Sequence, residues 1–461
     1  MDKDREKLLQ TEDTRKLLLR FSIPSIIGML VNALYTLVDR IFIGNMPGAG
    51  EYAITGVGLT LPINNIIMAF GMLIAVGSAA SISIKMGEKR TDIAEKILGN
   101  AFCLLLIVGF LVMITGIIFN NQILTLFGAS ENTLSYASEY MIIILLGVPF
   151  NIIGNGMNNL IRAEGNPRIS MYTMLLGAIL NTILDPIFIF VFKMGVKGAA
   201  TATIISQITA AIWVLSYYFG KRSHLRLKKM NMSLDIHIIK NIISIGMAPF
   251  AMQIAASVIS VISNRSLQTY GGDLAIGAMT IINSVGMLIL MPIFGTNQGA
   301  QPIFGYNYGA HAYDRVKETL KYAIMLATSV CVFGFIVVQL FPKEIITFFN
   351  RSGGLLEVGV PGMKLYLSML PIVGFQVISS NFFQAIGRAK ISMFLSMTRQ
   401  VIFLIPLLLI LPKIGGLGLT GVWLAGPAAD LLASIVTFFF IAREMKILNS
   451  KKEEALVEKS V

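Results

Sequence analysis

The sequence predicts an all-α polytopic membrane protein, with twelve transmembrane helices in two six-helix lobes related by a pseudo-twofold axis. The first observation behind this prediction is composition, since 55% of the 461 residues are apolar and only 13% are charged. A soluble domain carries about 25% charged residues, because its surface faces water. The second observation is a series of long apolar runs, and the third is an internal repeat that divides them into six and six.

Twelve apolar runs are long enough to cross the ~30 Å hydrocarbon core of a bilayer, which takes about 20 helical residues. These runs are continuously apolar, whereas the strands of a membrane barrel would alternate over ~10 residues. The first run follows a polar, charge-rich segment and is longer than the apolar part of a signal peptide, so we expect it to stay in the protein. The predicted runs are 17–44, 53–84, 97–119, 134–161, 169–192, 198–219, 241–266, 274–304, 322–341, 361–386, 391–411 and 417–442.

The distribution of Lys and Arg predicts the orientation. With a cytoplasmic N-terminus, 28 of the 37 basic residues lie in the cytoplasmic segments or at the cytoplasmic ends of the runs, and six lie at the opposite side. Short cytoplasmic loops of membrane proteins carry this kind of excess. We therefore expect a multi-pass protein of the plasma membrane with both termini in the cytoplasm.

The longest basic connection, Gly220–Lys240, lies at the middle of the chain. We expect a cytoplasmic linker that is attracted to anionic membrane lipid. The predicted organisation is an N-terminal lobe at 1–220, the linker at 221–240, and a C-terminal lobe with its tail at 241–461.

The two predicted lobes share a sequence repeat. Arg162–Met171 (RAEGNPRISM) and Gln384–Met393 (QAIGRAKISM) have five identities in ten positions, at an offset of 222. Further matches are Pro24 with Pro249 at an offset of 225, and GVKG at 195–198 with GGLG at 415–418 at an offset of 220. Because each half holds six helices, both halves have the same orientation, as in secondary transporters built from parallel repeats. Such a pair of lobes is suited to alternating access, in which one lobe rocks against the other.

The sequence also excludes several chemistries. Cys103 and Cys331 lie in apolar runs and the three His residues lie in polar connections, which argues against a disulfide scaffold, a haem or a zinc site. No Walker motif for ATP hydrolysis occurs. The net charge of +12 lies in short loops, which argues against nucleic acid as a partner. We expect no enzyme activity and no cofactor, with the energy for any transport coming from an ion gradient or from a separate subunit.

Asp39 is one of the few acids within the apolar runs. A charge near the membrane centre costs at least ~2.5–3.5 kcal/mol, so it needs a function or a partner. Asn32, Tyr35 and Asp39 share one face of a helix by their spacing. Pairing of Asp39 with Arg40 is awkward, because neighbouring residues point about 100° apart on a helix. These residues are therefore candidates for a functional site.

Asp185 lies in the segment LNTILDPIFIF, one turn after Asn181 on the same helix face. Pro186 removes a backbone hydrogen bond next to the carboxylate. Freed carbonyl oxygens beside a carboxylate suit a cation or a proton. The alternative is a carboxylate buried with a hydroxyl partner for packing specificity.

The repeat shows that these acids occur in one half only. At the offset of 225 Asp39 corresponds to Asn264, and at the offset of 220 Asp185 corresponds to Ile405. This asymmetry indicates an ion or proton site in the N-terminal lobe. Asp430 in the twelfth run has two interpretations, a functional acid or an ion pair with Arg399.

Methionines of the second half have two interpretations as well. They either line a soft cavity for varied apolar ligands or pack within the membrane. They are Met252, Met279, Met287 and Met291.

Four segments carry a resemblance to a known family. They are LYTLVDRIFIG at 34–44, IRAEG at 161–165, LNTILDPIFIF at 180–190 and GVKGAATAT at 195–203. Together and in this order, they resemble the multidrug and toxic compound extrusion (MATE) transporters, which have twelve helices in two six-helix lobes. The resemblance extends over essentially the whole chain.

The resemblance implies a cation-coupling pocket formed by Asp39, Asn181, Asp185 and Thr203, with H⁺ or Na⁺ as the coupling ion. Some relatives also use acids in the seventh and tenth runs, which this sequence lacks, and this argues against a sodium site in the C-terminal lobe. Tyr140 and Asn158 stand about 27 Å apart on a straight helix, so a bend or a deep cavity is needed for both to reach one pocket. The residues expected to bind substrate or to support the pocket are Asn32, Tyr35, Tyr140, Asn158 and Met287.

The leading hypothesis is a secondary active multidrug exporter, which exchanges apolar, often cationic small molecules for H⁺ or Na⁺ by rocker-type alternating access. We expect it to act as a monomer. One alternative is a lipid-linked saccharide flippase, which shares the architecture by resemblance. A flippase usually needs basic residues to hold a pyrophosphate, and few Arg residues lie within the runs. The other alternative is a scaffold or receptor that transports nothing, which leaves the repeat and the buried acids unexplained.

Overall fold

The structure is a computed structural model that describes residues 9–44, 60–126, 131–220, 223–349 and 353–460. Within these ranges it contains helices and no strands. Ten helices there are long and apolar enough to cross a membrane, and Gly353–Tyr366 with Leu370–Ala385 makes one more span, bent by 49°. One of the ten, Ile236–Gly309, has 74 residues and covers two predicted runs. The predicted twelve-helix architecture is therefore confirmed.

The boundary between the two runs merged in Ile236–Gly309 is at Gly272. Its φ of 62° and ψ of −159° are not helical. Glycine adopts such angles without the steric penalty of a Cβ atom. Gly272 therefore ends one membrane helix and starts the next without a longer loop.

The first compact unit comprises residues 27–253 among those described. Its helices bury their small residues against each other, since Ala199, Ala200 and Ala202 have no exposed surface. Its main helices are α1 (Thr14–Gly44, in its second half), α2 (Leu61–Gly87), α3 (Thr91–Ile118), α4 (Asn120–Leu126), α5 (Glu131–Ala163), α6 (Pro167–Pro186) and α7 (Val196–Phe219).

The second compact unit comprises residues 9–26 and 254–461. An apolar core that includes Leu267, Met363 and Trp423 holds its helices together. Its main helices are α8 (Ile236–Gly309, in its larger part), α9 (Tyr313–Leu340), α10 (Pro342–Phe349), α11 (Gly353–Tyr366), α12 (Leu370–Ala385), α13 (Ala389–Met397), α14 (Ile405–Ile410) and α15 (Gly418–Ser460).

Two helices change unit along their length. α1 passes from the second unit to the first after Ile26, and α8 passes from the first unit to the second after Gln253. Both borders follow the repeat-related prolines, Pro24 and Pro249, by a few residues. Proline interrupts helical hydrogen bonding, so each helix is weakened close to the point where its packing partners change.

The basic connection lies along α3 of the first unit. Lys228 Nζ pairs with Glu95 Oε2 at 2.6 Å, and Asn100 donates to the carbonyl of Ser233 at 3.1 Å. Gly99 leaves room for this approach, because a Cβ atom there would lie 2.1 Å from the carbonyl oxygen of Asn231. The linker, which is called the strap below, thus packs against α3. Its charge did not predict this contact.

Candidate cation site in the first unit

A partly open cavity of about 100 Å³ lies between four helices of the first unit. It is smaller than the ~300–1,000 Å³ typical of a pocket for a drug-sized ligand and large enough for an ion with water. Helices α1, α5, α6 and α7 supply its walls. Its lining is Asn32, Tyr35, Phe150, Asn151, Gly154, Asn155, Asn158, Thr173, Met174, Gly177, Ala178, Asn181, Thr203, Ser206, Gln207 and Ala210.

Asn181 connects Asp185 to Thr203 at the wall of this cavity. The amide Nδ2 of Asn181 donates to Asp185 Oδ1 at 3.2 Å and to Thr203 Oγ1 at 3.3 Å. Asp185 is 0% exposed and Asn181 is 2% exposed. The predicted i, i+4 pair is therefore present on α6, and α7 adds the hydroxyl. Since a buried carboxylate is costly unless it is neutralised, this group is suited to take up a proton or a cation.

The helix changes form directly after Asp185. α6 ends at Pro186, and Ile187–Val191 continues as a π-helix. Proline lacks the N–H that would satisfy a carbonyl one turn earlier, and π-helical turns occur mostly at functional sites. The predicted local disruption next to the carboxylate is present.

Three buried amide oxygens line the same cavity without a hydrogen-bond donor among the described residues. They are Oδ1 of Asn158, Oδ1 of Asn181 and Oε1 of Gln207. Carboxylate, carbonyl and hydroxyl oxygens are the ligands of hard cations such as Na⁺. The donor set therefore fits a hard cation better than a soft transition metal, and the described residues hold no cluster of three His, Cys, Asp or Glu.

The structure brings some of the other predicted residues to this cavity. Asn32 and Tyr35 line it from α1, and Asn158 lines it from α5. Asn158 also donates to the carbonyl of Ser170 at 3.2 Å and so joins α5 to α6. The side chain of Asp39 lies outside the described residues.

Two predicted residues lie elsewhere. Tyr140 is 6% exposed and packs in an apolar cluster with Ile144 and Ile189. It does not line the cavity. Met287 belongs to the second unit and is 51% exposed.

Several lining residues were missed by the sequence reasoning. Asn151 and Asn155 lie one turn apart on α5 and are joined by a 3.2 Å hydrogen bond. Gln207 follows Thr203 by one turn of α7, and Ser206 lies beside it. The sequence does contain a pattern that could have identified them, namely polar residues spaced three and four apart in otherwise apolar helices.

Asp430 forms an ion pair with Arg399. Arg399 Nε donates to Asp430 Oδ1 at 2.5 Å, in the second unit. Of the two interpretations of Asp430, the ion pair is the one present. In the first unit, a different buried cation, Arg162, bonds to neutral partners, Ser170 Oγ at 2.8 Å and Asn159 Oδ1.

The MatE family model matches residues 24–187 and again residues 249–410. These two matches begin at Pro24 and Pro249, so each half of the chain contains one copy of the same family and the predicted repeat is confirmed.

Curated relatives and solved structures resemble the whole chain. The chain is 28% identical over 438 residues to the multidrug export protein MepA of Staphylococcus haemolyticus, which covers 95% of each. It is 29% identical to MepA of Staphylococcus aureus strain N315, over 92% of this chain and 93% of that protein. A MATE family multidrug resistance transporter solved in an outward-facing conformation superposes with a TM-score of 0.90 at 27% identity, over 96% of this chain and 98% of that chain.

The fold and the cavity thus define a polytopic α-helical membrane transporter built from two repeated halves. The chain belongs to the MatE family, whose model matches most of its length. The resemblance inferred from the sequence is confirmed.

Proposed function

We propose that this protein exports small apolar, often cationic molecules from the cell in exchange for a monovalent cation, H⁺ or Na⁺. The MepA relatives are named multidrug export proteins, and the superposed structure is that of a multidrug resistance transporter, which supports the substrate class. The observation that carries the coupling is the fully buried carboxylate of Asp185, tied through Asn181 to Thr203 at the wall of a small polar cavity.

The coupling cation binds at Asp185, with Asn181, Thr203 and Asp39 completing its shell. Its charge neutralises the buried carboxylate, and its oxygen ligands draw α6 and α7 together around it. Because this cavity is small, we assign it to the ion and its water. One elementary charge that returns across 100 mV supplies about 2.3 kcal/mol to the export cycle.

The remaining parts of the proposal rest on the sequence pattern and on the transporter role. The protein moves its substrate without altering it chemically and needs no cofactor. It acts as a monomer in the plasma membrane, with both termini in the cytoplasm, and binds no nucleic acid. The basic strap faces anionic lipid of the cytoplasmic leaflet.

The flippase alternative loses support from the second unit. Arg399, an arginine within its membrane segments, is paired with Asp430. It is therefore not available to hold a pyrophosphate.

Uptake of a fluorescent organic cation into everted vesicles tests the proposal. Proton and sodium gradients are imposed separately, and the gradient that drives uptake identifies the coupling ion. We expect uptake to stop when that gradient is collapsed. Dye uptake that is independent of both gradients would contradict the coupling, and translocation of a polyprenyl-linked sugar without dye uptake would favour the flippase.

A further inference from the structure

The second unit contains an ion pair between two of its helices. Arg399 lies in the π-helix Thr398–Leu404 and Asp430 lies in α15. Their side chains are 30% and 10% exposed, and Nε of Arg399 is 2.5 Å from Oδ1 of Asp430. Within the described residues neither side chain forms a further hydrogen bond. The carboxylate therefore has one cation, and that cation belongs to the chain itself.

The repeat relates this pair to two residues that line the cavity of the first unit. At the offset of 222 that aligns the preceding segment, Arg399 corresponds to Gly177. At the offset of 220 that aligns the start of the last helix, Asp430 corresponds to Ala210. Gly177 and Ala210 face each other, because a Cβ atom on Gly177 would lie 3.9 Å from the Cβ of Ala210. Both line the cavity.

The same contact between helices is thus built in two ways. In the first unit, two small residues leave a cavity open beside Asp185, Asn181 and Thr203. In the second unit, an arginine and an aspartate take their places. The positions of Asp185 and Thr203 are taken by Ile405 and Trp423 at the offset of 220, so the oxygen ligands are absent there.

We propose that Arg399 is a tethered cation that fills, in the second unit, the place where the first unit keeps an open cation pocket. The guanidinium neutralises Asp430, which is buried and would otherwise require a mobile cation. The chain therefore binds one exchangeable coupling cation per cycle and not two. The number of exchangeable cations rests on the proposed coupling site at Asp185. The carboxylate of Asp430 would bind a free cation once Arg399 is removed, and this latent site does not depend on the coupling proposal.

Equilibrium binding of radiolabelled guanidinium to the purified full-length protein tests the latent site. Arg399→Ala removes the tethered group and leaves the carboxylate, so we expect this variant to bind one more equivalent of guanidinium than the wild type. The extra equivalent should be absent from Arg399→Ala/Asp430→Asn. It should persist in Arg399→Ala/Asp185→Asn. If the folded Arg399→Ala protein binds no more guanidinium than the wild type, the proposal is overturned.

A second variant keeps the proposal testable if Arg399→Ala does not fold. Arg399→Gln/Asp430→Asn replaces the pair by neutral groups of similar shape. Since the pair exchanges no ion, we expect this variant to retain gradient-driven dye export with the wild-type ratio of cations to dye. Loss of export, or a changed ratio, in the folded variant would overturn the proposal. If instead the proposed coupling site at Asp185 were wrong, Asp185→Asn would export dye normally.

Discussion

Asp185 is the residue through which the proposed coupling acts most directly. It is fully buried and accepts a hydrogen bond from Asn181, which is itself bonded to Thr203 on another helix. A buried carboxylate is unfavourable when it is charged, so under the proposed coupling the uptake of a proton or cation at Asp185 would change the packing of α6 against α7.

Asp185→Asn should abolish gradient-driven dye export and leave the protein folded and inserted, because the amide keeps the shape and removes the desolvation cost of the charge. Export in everted vesicles and thermal unfolding in detergent are measured together. Asp273→Asn is the matched control, since Asp273 is exposed. Normal export by Asp185→Asn would rule out this site.

Asp39→Asn should also abolish export. The repeat supplies its control, because the second half carries Asn264 at the corresponding position and Asn is therefore compatible with this type of helix. Asn264→Ala should retain export. Equal losses in both variants would indicate packing damage and not a lost ion ligand.

Thr203→Ala should weaken the binding of the coupling cation about 2- to 10-fold, since one neutral hydrogen bond contributes ~0.5–1.5 kcal/mol. The measured quantity is the cation concentration that gives half-maximal export. Thr201→Ala is the matched control on the same helix, because the Thr201 hydroxyl donates to the carbonyl of Lys197 in its own helix. A similar shift in both variants would contradict the assignment of Thr203 to the shell.

At the scale of elements, the docked strap shows how one glycine permits a contact between a helix and a connection. The approach of Asn231 to Gly99 is too close for any side chain. Asn100 next to it accepts from the N–H of Asp235 at 2.8 Å and so holds the strap from the same helix. The sequence showed the charge of this connection, and the partners Glu95 and Asn100 became visible only with α3 in place.

Gly99→Ala should destabilise the protein by ~1–3 kcal/mol, because the methyl group would overlap the strap and force it away from α3. Gly71→Ala is the control, since its nearest neighbour is Ile152 Cγ1 at an ordinary 3.8 Å. That substitution should stabilise α2 by about 0.5–1 kcal/mol through helix propensity. Thermal unfolding and protease cleavage within the strap distinguish the two. Equal stability of both variants would mean that the strap is not held by this contact.

At the scale of the whole molecule, the prediction of cytoplasmic termini is testable by labelling of single cysteines from each side of the membrane. Met230 in the strap is 89% exposed and Gly353 is also exposed, so Met230→Cys and Gly353→Cys are accessible probes. Ser223 is a poor probe because it is buried and donates to Glu164 Oε2 at 2.9 Å. We expect Met230→Cys to react from the cytoplasm and Gly353→Cys from outside, in a background without Cys103 and Cys331. Reaction of both probes from one side would exclude the proposed topology.

The sequence by itself determined the membrane class, the twelve spans and the two related halves. These features depend on composition, run length and repeat spacing, which are read along the chain. It also determined that Asn181 and Asp185 share a helix face, because residues one turn apart always do. The disruption of the helix at Pro186 is likewise a local effect, because the hydrogen bond that Pro186 cannot donate would lie within its own helix.

Only the tertiary structure decided which groups meet across helices. Asn181 reaches Thr203 over 22 positions in the chain, and Arg399 reaches Asp430 over 31. The amide oxygens of Asn158 and Gln207 converge on one cavity from α5 and α7, while Tyr140 on α5 does not. Such pairings depend on the rotation and approach of two packed helices, which the pattern along either helix alone does not contain.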